Sequence, residues 1–163
     1  KKKIYIDKVN LQIKPKKKVV KLYDFIYPAS GDKHKNHKEL LESFVILSKL
    51  NIFPKLLLTL DEIDLNNLGI KDYKQRFNLN ISNKTHKNRN IFLNNYNKSK
   101  ALIYPSTSET LGLPLLEAKK FGIDILASNR DFTWEYTSKK RLFDPNSPKS
   151  IANTILRYIK NKK

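Results

Sequence analysis

The 163-residue chain contains no cysteine and no methionine, and it has only four glycines and one tryptophan. The absence of cysteine excludes disulfides and thiol chemistry and suits a reducing compartment, so we expect a cytoplasmic protein. The apolar runs are too short to cross a bilayer. The chain begins Lys1-Lys2-Lys3, with neither an initiator methionine nor the apolar core of a signal peptide, so we expect it to be a piece of a longer protein.

Positive charge is present in large excess. The chain has 33 Lys and Arg against 15 Asp and Glu, a formal net charge of +18. Such a chain attracts nucleotides, nucleic acid or an anionic membrane surface. The lysines are scattered through every segment, which an AT-rich genome explains better than a nucleic-acid footprint. We therefore expect no nucleic-acid partner, while peripheral association with the anionic inner face of a membrane stays open as a hypothesis.

The apolar pattern predicts an α/β protein. Strands are predicted at residues 19–27, 56–60, 101–104 and 123–127. Helices are predicted at residues 38–50, at 64–77 with a break near Gly69, from Ile91, from Pro114 with Gly122 just beyond its end, and from Pro148 after a capping Ser147. Residues 78–90 are predicted to be loop. This alternation favours a Rossmann-like, doubly wound parallel sheet, with residues 19–163 as one domain and residues 1–18 as a linker or N-terminal extension.

The segment PSTSETLGLPLLEA, Pro105 to Ala118, leaves a predicted strand and enters a predicted helix. Ligands of doubly wound sheets bind beyond the carboxyl ends of the strands. Gly112 lets the backbone approach a ligand, and the free N–H groups from Leu113 onward suit a diphosphate. Glu109 and Glu117 can accept hydrogen bonds from sugar hydroxyls, or they can merely offset the helix dipole. Their spacing alone favours the second interpretation.

The residues around the two glutamates resemble the donor-site signature of retaining glycosyltransferases of the two-domain GT-B fold, group 1 type. The matching residues are Tyr104-Pro105-Ser106, Ser108-Glu109, Gly112-Leu113-Pro114-Leu115-Leu116-Glu117-Ala118, Gly122 and Ala127-Ser128. The resemblance covers roughly residues 19–160 and the match is long, which makes the motif specific. It implies the C-terminal half of a GT-B fold, a nucleotide-sugar-binding domain, with the N-terminal acceptor domain absent from this chain.

The resemblance also implies roles for individual residues. Glu109 would contact the donor sugar or its phosphate, and Glu117 would bind the ribose hydroxyls. The sugar and diphosphate would be received by Thr110, Leu111, Gly112 and Leu113. Thr110 and Leu111 stand where Gly-Phe is frequent in the family, and Asp124 stands where Pro is frequent. These departures concern sugar specificity more than fold.

A second family element is a Gly-Arg pair with a lysine five residues beyond the arginine, which together clamp the diphosphate. Lys35 fits that lysine, but Ala29-Ser30 replaces Gly-Arg, so the clamp is half present. The resemblance implies catalytic roles for Lys35 and Glu109 and donor contacts for Ser30 and Lys33, with Lys33 supplying the missing charge. The competing interpretation of Lys35 is a solvated lysine in a basic loop.

Three other groups of residues have ordinary explanations. His34 and His37 have only Asp32 as an obvious further ligand, so we expect no metal and no cofactor beyond the donor substrate. The acidic run at residues 61–64 is not the Asp-x-Asp of metal-dependent glycosyltransferases, and we expect it to cap a helix. Trp134 can line a cleft, but a tryptophan buried in the core is the favoured interpretation.

The resemblance predicts transfer of a hexose from a nucleoside diphosphate sugar to a glycan or lipid-linked acceptor, with retention of anomeric configuration. The segment YPASG, followed by HKNH, resembles the corresponding segment of transferases that assemble bacterial capsule or lipopolysaccharide. The acceptor would bind through the missing domain, so this chain alone is expected to be inactive. Two alternatives remain, a GT-B nucleotide-sugar epimerase and a basic nucleic-acid-binding module.

Overall fold

The computed structural model describes residues 19–86 and 88–162, so the predicted linker at residues 1–18 lies outside the described residues. Six parallel strands form one sheet in the order β3-β2-β1-β4-β5-β6. They are β1 (Tyr23–Tyr27), β2 (Leu56–Leu58), β3 (Ile81–Asn83), β4 (Ser99–Tyr104), β5 (Asp124–Ser128) and β6 (Leu142–Phe143). The strand order reverses between β1 and β4, which confirms the doubly wound, Rossmann-like sheet.

Helices cover both faces of this sheet. They are α1 (His37–Lys49), α2 (Glu62–Asn67), α3 (Ile70–Arg76), α4 (Arg89–Asn97), α5 (Leu113–Lys120) and α6 (Pro148–Lys160). Helix α1 packs against α6, and α4 packs against α5. The crossover from β1 to β2 runs in one direction along the sheet, and those from β3 to β4 and from β4 to β5 run in the other. Because such crossovers are right-handed, α1 lies on one face of the sheet and α4 and α5 lie on the opposite face.

The two central strands, β1 and β4, are buried on both sides. Phe25 and Ile26 of β1 have no exposed surface, and they pair in register with Ala101 and Leu102 of β4, which are equally buried. Strands covered by helices on both faces read as continuous apolar runs, as these do. Their pairing in register brings the loops that follow β1 and β4 together at one edge of the sheet.

Local signals for helix ends are confirmed. Ser147 accepts a hydrogen bond from the Ser150 amide (3.2 Å) at the start of α6, and Asp61 accepts one from the Asp64 amide (2.8 Å) at the start of α2. The predicted helix over residues 64–77 is broken at Gly69, whose φ of +61° is the left-handed conformation that glycine adopts without strain. These features depend on a few neighbouring residues and are therefore legible in the sequence.

Two strand predictions are wrong. The first strand begins at Tyr23 rather than Val19, because its partner β4 begins at Ser99, opposite Tyr23, and Val20 is 77% exposed. Residues 78–90, predicted to be loop, contain β3. Only Ile81 of β3 is fully buried, since β3 is an edge strand, and one apolar residue gives no recognisable strand pattern. The two-residue strand β6 was also not predicted.

Candidate functional site

Two loops meet at the carboxyl edge of the sheet, where the strand order reverses. The β1 loop (residues 28–36) joins β1 to α1, and the β4 loop (residues 105–112) joins β4 to α5. This reversal point is where doubly wound sheets bind their ligands. The structure therefore brings together Lys35 and Glu109, which are 74 positions apart in the sequence.

Hydrogen bonds join the two loops directly. The buried Tyr27 hydroxyl donates to the Lys35 carbonyl (2.7 Å) and lies 2.9 Å from the Ser106 hydroxyl, which must donate because the single Tyr27 proton is already used. The Thr107 amide donates to the His34 carbonyl (2.9 Å). These bonds fix the position of one loop against the other and hence the positions of the side chains that both loops carry.

Lys35 and Glu109 form an ion pair between these loops. The Lys35 Nζ lies 2.7 Å from the Glu109 Oε1, and the two side chains are 18% and 9% exposed. The solvated-lysine interpretation of Lys35 is therefore wrong. Burial by itself would raise the pKa of Glu109, but its polar neighbours, Lys35 first among them, outweigh burial and hold this pKa below its ordinary value. Glu109 is thus a carboxylate at neutral pH.

Glu117 forms the second ion pair of the site. Its side chain is 2% exposed, Oε1 accepts from Nη2 of Arg89, and Oε2 accepts from the Tyr96 hydroxyl. Both partners come from α4, and the Arg89 guanidinium also lies 5.2 Å from the centre of the Phe92 ring. The sequence analysis identified Glu117 but missed Arg89 and Tyr96. The glutamate is not a surface residue that merely offsets the helix dipole.

Backbone donors lie between these two ion pairs in the chain, at the start of α5. Gly112 has φ +58°, and a Cβ at this position would lie 3.0 Å from Cδ1 of Leu115, so glycine is favoured here. The amides of Gly112 and Leu113 donate no hydrogen bond to any described residue. Thr110 and Leu111 are exposed beside them. The start of α5 thus offers unpaired N–H groups next to open side chains, as an anion site requires.

Two buried or half-buried side chains hold the β1 loop in place. The Gly31 amide donates to Oδ2 of Asp64 (2.6 Å), and Nε2 of His37 lies 2.8 Å from the Ser30 carbonyl. A Cβ on Gly31 would lie 2.5 Å from Cγ of Asp64, so this glycine is required for space. The acidic run at residues 61–64 therefore caps α2, as predicted, and also anchors the loop, which was not predicted.

Ser30 and Lys33, predicted as donor contacts, lie in the β1 loop, but their side chains do not bond to the Lys35–Glu109 pair. The Ser30 hydroxyl donates to Oδ2 of Asp32 (2.6 Å), and Lys33 is exposed. Within residues 19–86 and 88–162, no hydrogen bond or ion pair links either residue to the Lys35–Glu109 pair. Their roles stay predictions.

The same described residues contain no group of three or more acidic, His or Cys side chains arranged to hold a metal.

A second open region lies beyond the carboxyl ends of β5 and β6. It is a cavity of about 560 Å³ lined by Asn129, Trp134, Lys139, Leu142, Phe143, Asp144 and Ser150. Trp134 is 60% exposed, and its indole N–H donates to Oδ1 of Asn129 (2.9 Å). The prediction of a core tryptophan is therefore wrong. The neighbouring Thr133 is buried instead, with its hydroxyl bonded to the Ser128 carbonyl.

Comparison with known protein families gives a match over most of the chain. The family model described as "Glycosyl transferases group 1" matches residues 9–163. No curated protein matches the chain. The family match includes both ion pairs and the start of α5.

Solved structures share the fold at low sequence identity. The C-terminal domain of the glycosyl transferase group 1 family protein LpcC from Francisella tularensis has a TM-score of 0.69 and 20% identity, over 89% of this chain and 79% of that one. A Rickettsia africae glycosyltransferase has a TM-score of 0.68 and 21% identity, over 83% of this chain and 37% of that one. A pneumococcal O-GlcNAc transferase in complex with UDP and GlcNAc has a TM-score of 0.68 and 18% identity, over 88% and 30%.

These likenesses show that the fold is that of the C-terminal domains of GT-B glycosyltransferases, as the sequence predicted. The chain spans little more than a third, 37%, of the solved Rickettsia africae transferase chain.

The ion pair of Glu109 predicts a pH-dependent stability. A folded-state pKa below the unfolded value means that its stabilisation is complete above the unfolded pKa of about 4.3 and is lost as pH falls through the folded value. We expect Glu109→Gln to lower the free energy of unfolding by about 1 kcal/mol at pH 7, and by progressively less below pH about 4. Urea unfolding followed by circular dichroism measures both values.

The control is Glu135→Gln, which removes an exposed carboxylate outside this ion pair. It should change stability by less than about 0.5 kcal/mol at neutral pH. A Glu109→Gln penalty of the same size at pH 7 and pH 3 would show that the charge of Glu109 plays no part.

Proposed function

The chain belongs to the group 1 glycosyl transferases, and we propose that it is the donor-binding part of an enzyme that transfers a hexose from a nucleoside diphosphate sugar to a glycan or lipid-linked acceptor. The observation that supports this proposal is the placement of two ion pairs around the unpaired amides at the start of α5. Lys35–Glu109 joins the β1 loop to the β4 loop that leads into α5, and Arg89–Glu117 joins α4 to α5 itself. Amides and cations bind phosphate, whereas carboxylates accept hydrogen bonds from sugar hydroxyls.

Each part of the donor has a matching group. The diphosphate would lie at the amides of Gly112 and Leu113, where the dipole of α5 favours negative charge. Lys35 would stabilise the charge that grows on the diphosphate as its bond to the anomeric carbon breaks. Glu109 would accept from hydroxyls of the transferred sugar and Glu117 from hydroxyls of the ribose, while Ser30 and Lys33 add contacts from the β1 loop.

The finer features of the reaction belong to the same proposal. The acceptor hydroxyl replaces the diphosphate at the anomeric carbon with retention of configuration, without a metal ion. The pathway is bacterial capsule or lipopolysaccharide biosynthesis. The family match favours neither an epimerase nor a nucleic-acid-binding module. The solved pneumococcal O-GlcNAc transferase carries UDP and GlcNAc, which is in line with a nucleotide-sugar donor.

Nucleotide binding is the direct test. We expect calorimetric titration of the 163-residue chain to detect saturable binding of UDP or GDP. Glu117→Gln should weaken it about tenfold or more, because an amide is a poorer acceptor for ribose hydroxyls than a carboxylate. Glu42→Gln is the matched control, since Glu42 also accepts from a tyrosine hydroxyl, that of Tyr73. Equal affinities of wild type and Glu117→Gln would contradict the assigned role.

Transfer requires more than donor binding. In the proposal the acceptor binds to a further domain, and the chain spans 37% of the Rickettsia transferase. We therefore expect the 163 residues to bind the nucleotide without transferring sugar at a rate typical of enzymes. Incubation with UDP-glucose, UDP-GlcNAc and GDP-mannose, with nucleotide release followed by chromatography, measures this. Rapid glycoside formation by this chain alone would overturn the proposed division of labour.

We also propose peripheral binding to an anionic membrane surface. None of the helices in the described part of the chain is long and apolar enough to cross a bilayer, and the net charge is +18. Lysines near an anionic leaflet each add attraction of about 1 kcal/mol. We expect co-sedimentation with vesicles containing phosphatidylglycerol at low salt and not with pure phosphatidylcholine vesicles. Equal sedimentation with both would contradict the proposal.

A further inference from the structure

Arg89 is bound to Glu117, the carboxylate to which the proposed function assigns the ribose hydroxyls. Its guanidinium donates to Oε1 of Glu117, and the two side chains differ greatly in exposure, 53% for Arg89 and 2% for Glu117. The anion is therefore fixed in the protein interior, whereas the cation reaches it from the surface. Ribose hydroxyls that bind Oε1 must share this atom with Arg89 or replace it.

Arg89 is half-exposed, unlike the other partner of Glu117. The Tyr96 hydroxyl is fully buried and stays on Oε2. Arg89 is the first residue of α4, and its guanidinium makes an ion pair with the Glu117 carboxylate and lies over the Phe92 ring. A half-exposed arginine on a flexible stem can change rotamer with little loss of packing. One of the two bonds to Glu117 is thus exchangeable.

The position of Arg89 also suits a phosphate. Helix α4 follows β3 and α5 follows β4, so both helices begin at the carboxyl edge of the parallel sheet. In the β1 loop, Lys35 is already bound to Glu109, and Lys33 is exposed and linked to neither member of that pair. A diphosphate at the start of α5 would therefore gain from a second cation. The planar guanidinium can bind two phosphate oxygens at once.

We propose that Arg89 is a donor-binding residue that exchanges one anion for another. It pairs with Glu117 in the structure, and it turns to the diphosphate when ribose hydroxyls take its place on Oε1. This inference rests on the proposed function. The exchange leaves neither the buried carboxylate nor the guanidinium without a partner, which avoids the cost of an unpaired buried charge. Arg89 therefore selects a nucleoside diphosphate over the corresponding nucleoside.

Calorimetric titration with UDP and with uridine tests this selection, with GDP and guanosine used instead if the chain prefers guanine. We expect Arg89→Gln to weaken UDP binding about tenfold or more and to leave uridine binding unchanged or tighter. The salt dependence of UDP binding should also become shallower, since one phosphate contact is lost. Arg89→Lys, which keeps the charge beside Glu117, should bind UDP with intermediate affinity.

Arg76→Gln is the matched control. The Arg76 guanidinium lies 5.2 Å from the centre of the Phe77 ring, as that of Arg89 lies over Phe92. Arg76 ends α3, however, which leads into β3 at the amino ends of the strands, away from the candidate site. It should bind UDP as the wild type does. Thermal unfolding followed by circular dichroism establishes that each variant is folded at the titration temperature.

Three results would overturn the inference. Unchanged or tighter UDP binding by Arg89→Gln would mean that Arg89 only neutralises Glu117, and an equal loss for UDP and uridine would mean that it only positions that carboxylate. Failure of the wild-type chain to bind either nucleotide would overturn the proposed function and this inference with it. The first of these results, found together with weaker UDP binding by Glu117→Gln, would overturn the inference alone and leave the proposed function standing.

Discussion

The hydroxyl of Tyr27 is the group on which the arrangement of the site depends. Tyr27 ends the central strand β1 and has no exposed surface, and its hydroxyl bonds to the Lys35 carbonyl in one loop and to Ser106 in the other. Burial raises the pKa of this hydroxyl far above neutral pH, so it remains a neutral donor. The sheet brings the two loops to the same edge, and this buried hydroxyl fixes the position of one loop relative to the other. The Lys35–Glu109 ion pair follows from that relative position.

Both acidic residues of the site are bound to a cation from a different segment. Lys35 pairs with Glu109 and Arg89 with Glu117, so the four side chains together carry no net charge. In a chain of charge +18, scattered lysines attract any anion weakly and without selection. A site whose cations are already paired gives little to a simple anion. Under the proposed function it favours a ligand that also brings hydroxyls for the carboxylates, which describes a nucleotide sugar better than inorganic phosphate.

Much of the fold and part of the site could be predicted from the sequence, because the relevant signals are local. Gly112 and Ser147 determine the backbone at helix starts, and the apolar runs identify the central strands. The edge strand β3 could not be predicted, since only Ile81 is fully buried and pairing with β2 supplies the rest. Trp134 was predicted wrongly because hydrophobicity favours burial on average, whereas here the smaller Thr133 takes the buried position.

Arg89 and Tyr96 were missed because their role depends on α4 packing against α5, which no local pattern encodes. A compositional signal was nevertheless present: only five of the 33 basic residues are arginine. Arg76 shares this signal without lying at the site, but an arginine does meet a need for a planar, multiply donating cation. At Arg89 that need is met by a buried carboxylate, and phosphate presents the same pair of oxygens. A residue that fits both anions can pass between them, so the ion pair that stabilises Glu117 can also serve recognition of the donor.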